Sequence, residues 1–91
     1  MALKIKQHGK IFLIRGKINE TTIKHFKNHL EFLLLYTKSL TINIDGVKLI
    51  NKKGVEVLKH LYDLAKTYKK KFEIIGYGCK DIYEELYDHT T

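Results

Sequence analysis

The chain has 91 residues, which is enough for one domain and too few for two. Hydrophobic residues make up 44% of it and charged residues 30%, a globular balance that argues against disorder. No stretch approaches the roughly 20 apolar residues that a membrane span needs. The 17 Lys and Arg residues outnumber the 10 Asp and Glu residues and give a formal charge of +7, so nucleic acid, anionic lipid and acidic proteins are all candidate partners.

The N-terminal end, Met1 to His8, alternates Lys with apolar residues and lacks the apolar core and cleavage site of a secretory signal. The single cysteine, Cys79, cannot form an intramolecular disulfide and argues against a Cys-based zinc site. We therefore expect a cytoplasmic protein without a structural disulfide.

The first sixteen residues predict a β-hairpin. Leu3, Ile5 and Gln7 alternate with lysines, His8-Gly9 is a turn signal, and the run from Ile11 to Arg15 is rich in β-forming residues. The segment Asn19 to Thr22 then offers capping oxygens and an early acid ahead of a helix that ends near Thr37. The apolar positions of that helix recur with a period near 3.6 at Ile23, Phe26, Leu30, Leu33 and Leu34.

A short third strand is predicted from Leu40 to Ile44, and Asp45-Gly46 is expected to break it, with Gly46 supplying a positive φ. Asn51 is a competent N-cap for a second helix that ends in Lys69-Lys70-Lys71. Its apolar stripe contains Leu58, Leu61, Ala65 and Tyr68, flanked by Val57 and Leu64.

A fourth strand follows at Phe72 to Ile75, and Asp81 to Tyr87 predicts a short closing helix. The order is β-β-α-β-α-β-α. Right-handed crossovers then require parallel neighbours after the hairpin. The predicted fold is α/β: one domain over residues 1–91, with a mixed four-stranded sheet and three helices.

At this point the residues resemble the STAS domains of bacterial anti-sigma factor antagonists and of anion-transporter tails. The most specific part is Leu40 to Leu58, LTINIDGVKLINKKGVEVL, which resembles the family's strand, its D/S-G-V turn, its D-S-S-G loop and its second helix. Gly16-Lys17-Ile18-Asn19 resembles the family's G-x-L-D. The resemblance implies a non-enzymatic module that binds a protein partner, such as a kinase-like anti-sigma factor.

Two departures from the family pattern stand out. Lys53 occupies the place of the serine that a partner kinase phosphorylates, and Asn51 and Lys52 replace the preceding Asp and Ser, so the implied phosphorylation switch cannot operate there. The family also continues with a further strand and helix where this chain stops at Thr91. We expect either a trimmed fold or a flank that a partner covers.

The candidate site is the segment from Asp45 to Gly54 together with the start of the second helix. It follows a strand and precedes a helix, where open α/β sheets place their sites. We expect Lys52 and Lys53 in the first helical turn to form a docking patch for carboxylates or phosphate, with plain exposed lysines as the alternative. The candidate partner-binding residues are Asp45, Gly46, Asn51, Lys52, Lys53, Gly54 and Glu56.

Other chemistries are weakly supported by the sequence. His25 and His29, at i and i+4, provide only two of the ligands that a metal needs, and no nearby Cys or third His completes the set. No cofactor fingerprint, P-loop or catalytic triad can be assembled, which argues against an enzyme. The single Arg among the 17 cations argues against a nucleic-acid binder.

Other questions stay open at this stage. The acids of the last segment are interpreted as a solvated face, and the five tyrosines from Tyr62 to Tyr87 as either a contact surface or sheet packing. An accessory role beside the ATPase of a transporter and a homodimer are the remaining alternatives.

Overall fold

The computed structural model describes residues 3–77. Its elements are β1 (Leu3–His8), β2 (Ile11–Ile18), α1 (Ile23–Tyr36), β3 (Ser39–Ile50), α2 (Lys52–Thr67) and β4 (Lys71–Ile75). The predicted closing helix, Asp81 to Tyr87, and Cys79 lie outside the described residues. The described part therefore has two helices.

The four strands form one sheet in the order β1-β2-β3-β4. β1 pairs antiparallel with β2, and β2, β3 and β4 are parallel neighbours, as the sequence predicts. Two successive crossovers of the same hand place α1 and α2 on the same face of the sheet. The carboxyl ends of β2 and β3 and the amino ends of both helices consequently meet at one end of the domain.

The hydrophobic core lies between this face of the sheet and the two helices. On α1 the buried side chains are Phe26, Leu30 and Leu34, three of the five predicted positions, while Ile23 and Leu33 are partly buried. Helix α2 contributes Leu58, Leu61 and Ala65. The strands bury Ile14, Ile42 and Ile44 at 2% exposure or less. Tyr68, predicted to join the stripe of α2, is instead 54% exposed because the helix ends at Thr67 and Tyr68 is its C-cap.

The third strand is longer than predicted: Asp45-Gly46 does not break it, and β3 continues to Ile50. The buried positions of β3 are two residues apart up to Ile44 and three apart from there, at Val47 and Ile50. The register against β2 shifts twice over the same stretch, between Leu13 and Arg15 and between Gly16 and Lys17. At each shift β3 has one residue more than β2, as at a β-bulge, and the apolar side chains stay on the core face.

Gly46 does not adopt the positive φ expected of it. A side chain is disfavoured at this position because β2 passes close to it: a Cβ on Gly46 would lie 2.7 Å from Arg15 Cγ and 3.0 Å from the Ile14 carbonyl oxygen. Positive φ is found at Gly9, Gly16 and Gly76 and at Lys69. The Asp-Gly pair therefore marks a bulge inside a strand, which is another position where glycine is favoured.

The turn between α2 and β4 contains lysines that stabilise the ends of both helices. Lys69 has φ 54 just after the helix, and the Lys70 backbone N–H donates to the Ala65 carbonyl oxygen at 2.8 Å. The Lys70 ammonium donates to the Leu35 carbonyl oxygen at 2.5 Å, which satisfies one of the carbonyls left open at the end of α1.

Candidate functional site

The amino end of α2 is built on Asn51, the predicted N-cap. The Asn51 side-chain oxygen accepts a hydrogen bond from the Gly54 backbone N–H at 2.8 Å, and the Asn51 backbone N–H donates to the Ile18 carbonyl oxygen at 3.0 Å. The first bond caps the helix and the second ties the cap to the last residue of β2. The junction between β3 and α2 is therefore one residue, the N-cap Asn51. The sequence had predicted a loop from Asp45 to Gly54.

Gly54 allows the helix to approach the sheet. A Cβ on Gly54 would lie 2.6 Å from Ile50 Cγ1 and 2.7 Å from Ile18 Cγ2, both in buried side chains. Distances this short exclude a side chain unless the core shifts. The glycine next to Lys53 thus has a packing reason that is independent of any partner.

Lys52 and Lys53 are the first two residues of α2, as predicted, and both are exposed. Within residues 3–77 neither ammonium forms an ion pair. Two cations at the positive end of a helix dipole cost a few tenths of a kcal/mol to about 1 kcal/mol each.

Two further lysines lie near the carboxyl ends of β2 and β3, at the same end of the domain as this pair. The register pairs Lys17 of β2 with Leu49, next to Lys48 of β3, and both lysines are exposed. We call Lys17, Lys48, Lys52 and Lys53 the basic end. Its positive potential attracts carboxylates and phosphates.

A groove of about 330 Å³ runs from the basic end between the two helices. Its floor is apolar, and Lys27, Lys53, Glu56 and His60 provide its polar rim. Glu31 connects the two sides, since its carboxylate lies 3.9 Å from Lys27 Nζ and 3.8 Å from His60 Nε2. We call the set Ile23, Lys27, Lys53, Glu56, Val57 and His60 the interhelical groove.

Asp45 and Gly46 are separated from the rest of the predicted site. Five residues of strand, 46–50, lie between Asp45 and Asn51, which places the two residues on the order of 15–20 Å apart. Asp45 also has a structural role, because its Oδ1 accepts from the Tyr77 backbone N–H at 2.8 Å and its own N–H donates to Asn43 Oδ1 at 2.8 Å. Asp45 therefore fastens β3 to the residue that follows Gly76 after β4.

The structure joins five of the seven predicted site residues, Asn51, Lys52, Lys53, Gly54 and Glu56. It adds Lys27 and His60, which sequence reasoning missed. Lys27 lies on α1 and His60 on α2, each one turn from an apolar position that the sequence identifies. Only the packing of the two helices brings these two side chains to the same groove.

The segment from Asn19 to Thr22 holds the start of α1 against the end of β2. The Thr22 hydroxyl donates to the Lys17 carbonyl oxygen at 2.9 Å and accepts from the Asn19 N–H at 2.9 Å.

The two histidines on α1 face each other edge to face, with ring centroids 5.5 Å apart. Partial burial, with a smaller contribution from the nearby His25, lowers the pKa of His29 below its usual 6.5. Within residues 3–77 no group of three or more His, Cys, Asp or Glu side chains is arranged to hold a metal ion.

Of the tyrosines, Tyr62 packs edge to face on Phe72 with ring centroids 4.9 Å apart. Tyr68 and Tyr77 are exposed. Tyr83 and Tyr87 lie outside the described residues. Across residues 3–77, neither helix has the combination of length and apolar content required to cross a membrane.

Several solved structures share this fold at low sequence identity. An anti-sigma factor antagonist from Mycobacterium paratuberculosis has a TM-score of 0.72 at 14% identity, over 96% of this chain and 77% of that chain. The anti-sigma factor antagonist SpoIIAA in its unphosphorylated form has a TM-score of 0.62 at 6% identity, covering 96% of this chain and 97% of that one. The Bacillus cell fate determinant SpoIIAA in its phosphorylated form has a TM-score of 0.63 at 9% identity, with 99% and 100% covered.

No curated protein sequence matches the chain. The family model of the STAS domain matches residues 1–82. That match covers the hairpin, both helices and all four described strands. The chain therefore belongs to the STAS domain family.

Proposed function

We propose that this STAS domain is a non-enzymatic interaction module of the anti-sigma factor antagonist type, working in the cytoplasm. The basic end and the interhelical groove dock a carboxylate-rich surface of a partner protein. The observation that carries this proposal is the lysine pair on a capped helix start, which has no ion-pair partner among residues 3–77 and lies beside an apolar groove. The anti-sigma factor antagonists that share the fold support the choice of partner class.

Electrostatics and packing support different parts of this contact. The exposed Lys52 and Lys53 raise the rate of encounter with an acidic surface, as rim charges do. The apolar floor of the groove, formed by the partly buried Ile23 and the buried Val57, gives a partner side chain an apolar surface to contact. Glu56 and His60 at the rim supply hydrogen-bonding groups that restrict which side chains fit.

Lys53 gives the proposed module a fixed charge. It stands where the resemblance places the phosphorylatable serine, and an ammonium group cannot be phosphorylated by a serine kinase. One end of the helix thus stays positive, whereas phosphoserine would add about −1.5 to −2 charges there. We expect binding that no phosphorylation at this position can switch off.

Site-specific crosslinking tests the docking face. A photo-crosslinking amino acid is placed at Lys53 and, as a matched control, at Lys66 in the last turn of the same helix. We expect one protein to be crosslinked in cells from position 53 and not from position 66. Equal capture at both positions, or no capture at either, would contradict the proposal.

Charge reversal on the purified pair then measures the electrostatic contribution. We expect Lys52→Glu with Lys53→Glu to weaken affinity for the captured protein at least tenfold. The matched control, Lys66→Glu with Lys69→Glu, alters the net charge by the same amount away from the docking face and should change the affinity less than threefold. The captured protein also separates the alternatives: an anti-sigma factor supports the proposal, and the ATPase of a transporter supports the accessory role. A gel shift with DNA or RNA that survives rising salt would favour a nucleic-acid binder instead.

A further inference from the structure

Helix α1 carries a second stripe of ring side chains, three of them exposed and His29 partly buried, that the docking proposal does not use. His25, His29, Phe32 and Tyr36 are spaced by four, three and four residues. At about 100° per residue, these positions lie within about 60° of one another. We call these four residues the outer stripe.

The outer stripe faces away from the core and away from α2. It lies about 130° around the helix from the buried stripe of Phe26, Leu30 and Leu34. The contact with α2 is on the opposite flank, where Glu31 lies 3.8 Å from His60 Nε2. Within residues 3–77, Phe32 remains 57% exposed and Tyr36 76% exposed.

The rings of the outer stripe are already ordered in pairs. Phe32 and Tyr36 lie with centroids 4.5 Å apart, and His25 and His29 with centroids 5.5 Å apart. The helix beneath them is held by fully buried side chains on its inner face. A rigid, preordered surface loses little conformational entropy when it is covered.

The spacing of the outer stripe is the same in both directions along the helix. We propose that the outer stripe is the contact of a weak homodimer, in which two α1 helices cross antiparallel about a two-fold axis between His29 and Phe32. This arrangement places His25 opposite Tyr36 of the second copy and His29 opposite its Phe32. A two-fold contact requires such self-complementarity, and His rings pack well on aromatic faces.

The exposed area of the outer stripe indicates how tightly two copies can associate. Phe32, Tyr36 and the neighbouring Leu35, which is 43% exposed, together expose on the order of 350 Å² per copy. A stable interface buries about 800 Å² per partner, so this contact belongs to the weak class. Each copy carries a formal charge of +7, and the resulting repulsion makes the association stronger as salt screens it. The basic end, which lies where both helices begin, contributes no residue to this contact.

Sedimentation of the full chain, from micromolar to near-millimolar concentration, measures the association. We expect the mass to approach twice that of one chain and the association constant to rise with salt. Phe32→Ser with Tyr36→Ser should weaken association at least tenfold, and Tyr68→Ser, which removes an exposed tyrosine elsewhere, should change it less than twofold. A chain that stays monomeric at high salt, or a double variant that associates like the unmodified chain, overturns the proposal.

Disulfide trapping tests the antiparallel register. In a Cys79→Ser background, His29→Cys should crosslink to itself, because both copies lie near the axis. His25→Cys should not, since its two copies would be about 16 Å apart along the helices and a disulfide needs Cα atoms within about 7 Å. His25→Cys mixed with Tyr36→Cys should crosslink. Self-crosslinking of His25→Cys would show a parallel pair and overturn this register.

Discussion

Replacing Gly54 by Ala is the sharpest test of how α2 is seated on the sheet. The new methyl group would lie 2.6 Å from Ile50 Cγ1 and 2.7 Å from Ile18 Cγ2, and both side chains belong to the core. Overpacking of this kind costs about 1–3 kcal/mol, and the better helix propensity of Ala returns up to about 1 kcal/mol. We expect a net loss on the order of 1 kcal/mol, a fall in Tm of about 4–8 °C.

Thermal unfolding followed by circular dichroism measures this loss, with Lys53→Ala as the matched control. That substitution places an alanine one residue earlier on an exposed position and should stay within about 0.5 kcal/mol of the unmodified chain. In an Ile50→Ala background the methyl of Gly54→Ala would enter the vacated space, so its cost should fall by at least half. A Gly54→Ala chain with an unchanged or higher Tm would refute the close seating of the helix.

Three further results follow from single contacts. Asn51→Ala should cost about 1 kcal/mol in urea unfolding, and Asn51→Asp should retain most of the stability because its carboxylate can still cap α2; equal losses would contradict the cap. Asp45→Ala should speed hydrogen exchange of the Tyr77 amide and Asp45→Asn should not, since only alanine removes the acceptor. Because the fold lowers the pKa of His29, the unfolded chain binds more protons, and stability should fall as pH drops through the ordinary value of 6.5. His29→Gln should flatten that slope, measured by urea unfolding at a protein concentration low enough to keep the chain monomeric.

Most of the fold could be predicted from periodicity alone. The alternation in β1 and the 3.6-residue spacing from Ile23 to Leu34 identified their elements, because each pattern has one structural solution that buries its apolar side chains. The bulges of β3 could not be predicted in this way. Asp45-Gly46 is a strong turn signal, and only pairing with β2 shows that the chain remains a strand through it.

The candidate site was predicted in part. Asn51 and the lysine pair follow from helix-start chemistry, which is local in sequence. Asp45 was assigned to the same site because the intervening residues were taken as a loop, and a strand of that length holds it too far away. Lys27 and His60 were missed because their proximity depends on how α1 packs against α2, and residue spacing within one helix carries no information about that.

The two residues that β3 inserts relative to β2 also matter when this chain is compared with other STAS domains. Counting forward from Leu40 would displace every later position by up to two residues relative to a domain whose strand runs without interruption. Counting backward from Gly54, which the core holds in place, and from the capping Asn51 avoids that displacement. The equivalence between Lys53 and the serine of the family pattern should therefore be judged from the helix start.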